Sequence, residues 1–134
     1  MTIMQESNLN RIYFRVLAVF YLVFGLITTF YPRLMHLFMT QRGIDASTSF
    51  SNNVWLHDGL DIISVAILLF AISTLIPSRL VLGATAVVAL MPVVAILYSL
   101  AATSFWSLLF LVPAMAAIAF AVWGFALAGR VIPE

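Results

Sequence analysis

Apolar residues fall in long blocks along this chain, and polar residues gather between the blocks rather than alternating within them. From Leu80 to Gly129 there is no acid, base or histidine. At about 1.5 Å rise per residue that run is roughly 75 Å of helix, against a hydrocarbon core of about 30 Å. It therefore predicts two crossings of a bilayer. With the two blocks before it, the pattern predicts four spans, at about 12–31, 54–76, 80–99 and 105–127. Pro32 disfavours helix at Tyr31 and ends the first span. The segment Ile76-Pro-Ser-Arg79 reads as a tight hairpin, which makes spans two and three antiparallel neighbours. The stretch Ser99 to Ser104 is small and weakly polar and reads as the last turn.

The long connection from Pro32 to Asn53 has a pattern of its own. Arg33, His36 and Thr40 recur at i, i+3 and i+7, while Leu34, Met35, Leu37 and Phe38 cover most of the remaining surface. That predicts a short amphipathic helix over about 33–41 lying in the interface plane, with the polar stripe toward water. Gly43 would end it. Asp45 to Asn53 reads as a solvated, Ser-rich loop that supplies caps for span two. The predicted fold class is all-α. It is a polytopic membrane protein of one domain over 1–134, with four transmembrane helices in an antiparallel bundle plus this interfacial helix.

Composition agrees. Hydrophobic residues make up 64% of the 134 positions and charged residues only 8%, against about 25% charged in soluble domains. A net charge of +1 gives no reason to expect nucleic-acid binding. There is no cysteine, which excludes disulfides, thiol catalysis, thiolate-held clusters and palmitoylation. Arg11 and Arg15 precede the apolar run Val16 to Tyr31, as in a signal peptide. That run is longer than a signal core and ends in Thr-Thr-Phe-Tyr-Pro-Arg rather than at small residues, so it reads as a retained first span. Four spans put both termini on one side, where Arg11, Arg15, Arg79 and Arg130 face Arg33 and Arg42 opposite. The positive-inside bias then predicts cytoplasmic termini. Tyr31, Trp55, Tyr98 and Trp106 would form an outer aromatic belt, with Tyr13 and Trp123 toward the inner boundary.

Lipid tails are as apolar as leucine, so the bundle must be held by close packing. Thr85 and Ala89, Ala117 and Ala121, and Gly124 and Ala128 are each spaced i, i+4 and are the candidate packing residues of spans three and four. Pro92 and Pro113 fall inside those spans. Each would free one carbonyl, of Val88 and Leu109, and kink its helix, and a kink can open a pocket.

Candidate chemistry centres on Trp55-Leu-His-Asp-Gly-Leu-Asp61. The seventeen uncharged residues from Ile62 to Ser78 are the lower edge of a bilayer span. Asp61 then lies near the outer headgroups, with Asp58 and His57 about a turn higher. His57 and Asp61 are i, i+4 and Asp58 and Asp61 i, i+3, so all three can line one side of the helix entrance, and Gly59 admits a close neighbour. Four readings fit. Asp58 and Asp61 tie down the long loop through Arg33 or Arg42. Arg33, His36, His57, Asp58 and Asp61 bind a ligand or substrate at the outer leaflet. His57 and Asp61, with Asp58 and His36, hold a metal, although no strong ligand motif is present. The acids start a proton or ion path that only Thr85, Tyr98, Ser99 and the freed carbonyls would continue. No cofactor can be named. Axial ligation of a haem or chlorophyll by His36 or His57 would rest on residue type alone, and His36 on the wet side of its helix would simply be solvated. Asp58-Gly-Leu-Asp61 has the spacing of Mg²⁺–diphosphate enzymes, but the second acidic cluster they carry is missing. Walker, dinucleotide and nucleophile-elbow patterns are absent.

Arg15-Val-Leu-Ala-Val-Phe-Tyr-Leu-Val-Phe-Gly25, Phe30-Tyr-Pro-Arg33 and Trp55-Leu-His-Asp-Gly-Leu-Asp61 together resemble the small four-span DoxX-like bacterial membrane proteins. The resemblance covers roughly residues 12 to 76. It implies the same four-span architecture in a bacterial cytoplasmic membrane. It transfers no catalytic residue, and the redox partnerships of DoxX proteins find no thiol chemistry here. The function expected from sequence is a non-catalytic accessory or assembly subunit of a larger membrane complex, or a self-associating bundle. Its partners would be the lipid bilayer and other membrane subunits or itself. The alternative is the ligand or enzymatic site around His57, Asp58 and Asp61.

Overall fold

The structure is a computed structural model that describes residues 3–40, 49–75, 78–102 and 104–131. Helix α1 spans Ile3–Phe30. No glycine or proline interrupts Ile3 to Phe24, so the helix runs outward past the apolar part, which begins at Asn8. It ends where Pro32 forces it to: Tyr31 leaves helical geometry (φ −127°, ψ 53°), and Pro32 opens α2, Pro32–Met39. Proline suits that first position because its missing N–H would have no partner there.

Helix α3 spans Ser49–Ile72. It starts inside the stretch read from sequence as a solvated loop, since nothing between Ser49 and Asn53 breaks a helix. Arg42, Gly43 and Asp45 lie outside the described residues, as do Ile76 and Pro77 of the hairpin. Beyond that turn, Ser78 accepts the N–H of Val81 at its Oγ and that of Leu82 at its carbonyl, starting α4, Arg79–Ala102. A 3-10 turn over Leu108–Phe110 is capped by Ser107, whose Oγ accepts the Leu109 N–H at 3.1 Å. It leads into α5, Leu111–Ala128. Pro113 therefore sits in the first turn of α5, where the missing N–H costs little, whereas Pro92 lies in the interior of α4. Among the described residues four helices are long and apolar enough to cross a membrane, and the chain is a multi-pass, all-α membrane protein.

The helices associate as two pairs. Helix α3 lies along α1 and α4 along α5, while α3 and α4 do not pack along one another. The hairpin joins spans two and three end to end without making them packing partners, because each finds its matching small-residue seam on another helix. On α4 the buried positions are Leu82, Ala86, Ala89, Val93 and Ile96; on α5 they are Ala114, Ala117, Ala121, Gly124 and Ala128, with Leu127 beside the last. Steps of three and four give the 3.5-residue period of left-handed helix packing. Thr85 lies beside the seam, half-buried, its hydroxyl donating to the Val81 carbonyl at 2.8 Å. In the other pair Gly25 and Gly59 touch almost backbone to backbone. A Cβ on Gly25 would lie 2.8 Å from Ile63 Cγ1 and 2.9 Å from the Gly59 carbonyl, and one on Gly59 would overlap Thr29.

The two pairs meet at both ends. At the end holding Arg11, Arg79 and Arg130, the residues Tyr13, Phe14, Leu17, Leu69, Leu82 and Leu127 form a core drawn from all four long helices. Tyr13 belongs to that core and is completely buried, not interfacial. Its ring meets Trp123 edge-on at 5.3 Å, and its hydroxyl fits against Gly124, where a Cβ would lie 2.5 Å away. At the other end α2 packs on the turn before α5, and Thr40 and Trp106 pair in an isolated antiparallel bridge. Between these junctions the pairs diverge.

Candidate functional site

The divergence leaves a cleft of about 330 Å³ near the end opposite Arg79. Helix α3 presents Trp55, Asp58, Asp61 and Ile62 to it. Trp55, Asp58 and Ile62 follow at i, i+3 and i+7, so one face of the helix supplies them, and Asp61 stands at the edge of that face. Phe24 of α1 contributes from the same pair; Pro92, Ala95, Ile96, Phe110 and Pro113 come from the other. Both prolines face the opening. Among the lining residues the two carboxylates are the only ionisable groups.

Asp58 and Asp61 stand about one helical turn apart and repel each other. His57, exposed on α3, also acts on Asp58 electrostatically but does not line the cleft. Arg33 is exposed and lies away from the lining, and Arg42 falls outside the described residues. Of the five ligand-binding candidates, the structure thus brings together Asp58 and Asp61, with His57 beside them on α3.

His36 occupies a place the sequence pattern did not predict. It is 7% exposed rather than solvated. Its ring meets Trp55 edge-on at 5.8 Å; Trp55 meets Trp106 at 6.3 Å, and Trp106 stacks on Phe110 at 5.0 Å. Of these rings, Trp55 and Phe110 line the cleft. Of the polar stripe of α2, His36 and Thr40 are buried and Arg33 is exposed, as are Leu34 and Phe38. The Thr40 hydroxyl donates to the His36 carbonyl.

A second cleft of about 360 Å³ lies beside the first. Phe20, Phe24 and Ile27 of α1, Leu34, Met35 and Phe38 of α2, and Leu109, Val112, Pro113 and Ala116 line it, all of them apolar. Phe24 and Pro113 line both clefts, which are therefore adjacent.

Among the described residues no three His, Asp or Glu side chains converge as a metal would require. The hydroxyls that would continue a proton path inward bond back to their own helices, Thr85 to the Val81 carbonyl and Ser99 to the Ala95 carbonyl, each at 2.8 Å. Sequence reasoning overlooked Phe24 and Phe110 and read Trp55 only as a belt residue. The i, i+3, i+7 stripe of Trp55, Asp58 and Ile62 was the available signal. Neither a protein-family model nor a curated protein nor a solved structure matches this chain.

Proposed function

We propose that the chain is a bacterial cytoplasmic-membrane protein, both termini cytoplasmic, that takes a small molecule into the cleft between its helix pairs near the outer face. The observation that carries this reading is the cleft itself, where Asp58 and Asp61 share an opening with Trp55, Phe24, Phe110 and two prolines. Ionisable residues inside spans are costly and are kept where they meet water, a partner or a ligand. Small-molecule sites typically combine a mostly apolar wall with a few polar groups in about 300–1,000 Å³, and this cleft fits that description. The tie between these acids and Arg33 finds no support in the position of Arg33. The DoxX-like resemblance of residues 12 to 76 supports the bacterial membrane, and the four arginines at one end support the orientation.

The test is Asp61→Asn in nanodisc-reconstituted protein, read by tryptophan fluorescence, since Trp55 lines the cleft and Trp106 meets its ring edge-on. Loss of ligand response with an unchanged melting temperature supports the site. A lowered melting temperature with an unchanged response would assign Asp61 a structural role instead.

A second reading, an accessory subunit or self-associating bundle, is favoured by one observation. Only 17–39% of the residues in each span window are buried within the chain, which leaves wide helix surface for other spans. Purification in mild detergent should then yield a larger assembly; a lone monomer counts against it.

A further inference from the structure

We infer that the ligand is an amphiphilic cation, its charged head held at Asp58 and Asp61 and its apolar tail running past Phe24 and Pro113 into the second cleft beneath α2. This rests on the reading above that the cleft receives a small molecule, and it names the class of molecule.

The head is specified by charge and by rings. Two carboxylates one turn apart leave a local excess of negative charge, which an anion would worsen and a neutral group would not relieve. Trp55 and Phe110 line the same lobe. Aromatic faces attract organic cations through the ring quadrupole, and quaternary ammonium groups are bound in this way. The tail is specified by proximity. The second cleft is lined by apolar residues throughout and adjoins the first, Phe24 and Pro113 lining both. Leu34, Met35 and Phe38 of α2 form one of its walls. The molecule enters from the bilayer. Lipid tails and the second cleft are equally apolar, so transfer between them releases little free energy. At equal mole fraction in the membrane, the head group therefore sets the affinity.

The experiment uses the full chain in zwitterionic nanodiscs and three probes with one dodecyl tail: dodecyltrimethylammonium, laurate and dodecyl maltoside. Binding is read by tryptophan fluorescence at matched mole fractions. The cation should bind about tenfold or more tightly than the other two, as expected for an interaction with a charged partner. Asp58→Asn combined with Asp61→Asn should abolish the preference. Equal binding of all three probes would overturn the cationic head while leaving the cleft as a ligand site; binding of none would overturn both readings. The tail is tested by Ala116→Trp, which fills the second cleft and should weaken dodecyltrimethylammonium about tenfold. Unchanged affinity in a variant of unchanged melting temperature would overturn the tail placement. Val112→Trp, at an exposed position lining the same cleft, serves if Ala116→Trp fails to fold.

Discussion

Glycine has opposite meanings at different places in these helices. At Gly59 a methyl group would collide with Thr29 of α1, whereas at Gly83 nothing lies within 4 Å of the added carbon. Gly59→Ala should therefore destabilise the protein by about 1–3 kcal/mol, the usual cost of overpacking. Gly83→Ala should stabilise it by about 0.5–1 kcal/mol, through helix propensity alone. Thermal unfolding in one detergent reads both; equal shifts of the same sign would refute the α1–α3 crossing. The sequence revealed part of this, since Gly59 between two acids reads as a place for a close neighbour. It did not reveal that the neighbour is Thr29, because no local pattern pairs residues thirty positions apart. His36 and Tyr13 were misread for a related reason. A histidine on a short amphipathic helix and a tyrosine near a span end both look interfacial until their partners, Trp55 and Gly124, are known.

Among the elements, four apolar stretches and their order could be read directly, because uncharged length alone requires crossings. The pairing of α1 with α3 could not, because a tight turn constrains the ends of two helices and says nothing about the faces between. The seams decide it, and their three-and-four spacing becomes visible only when the buried positions are aligned. The prolines divide in the same way. Pro113 falls in a first turn and bends nothing that a helix needs, while Pro92 removes an interior bond beside the cleft. Pro92→Ala restores the donor to the Val88 carbonyl. It should raise stability by roughly 1–3 kcal/mol and weaken ligand binding, as α4 straightens against the opening. A ligand titration and a thermal melt on the same sample check the two halves, and a variant that is more stable yet binds undiminished would separate α4 from the shape of the cleft.

For the molecule as a whole, orientation decides which compartment the cleft serves. Arg11, Arg79 and Arg130 stand at the end where the four-helix core closes, and Arg33 stands at the end where the cleft opens. Arg15 joins the first group and Arg42 the second by their places in the chain, so the bias is four against two. The chain has no cysteine, so single-cysteine variants can be labelled without background. An impermeant maleimide added outside intact cells should modify Asn53→Cys and Ser104→Cys and spare Asn8→Cys and Ser78→Cys. Labelling of positions 53 and 78 from the same side would break the four-span topology itself. The margin is small enough to be removed. Arg79→Gln with Arg130→Gln leaves Arg11 and Arg15 against Arg33 and Arg42, and an even count should give a population with both orientations. Half-labelling at all four positions is the expected outcome. Unchanged labelling would mean that α1 and its two arginines alone set the direction of insertion. In the inverted fraction Asp58 and Asp61 would open toward the cytoplasm, so a cell-surface ligand signal should fall in proportion to the inverted share while total protein stays constant.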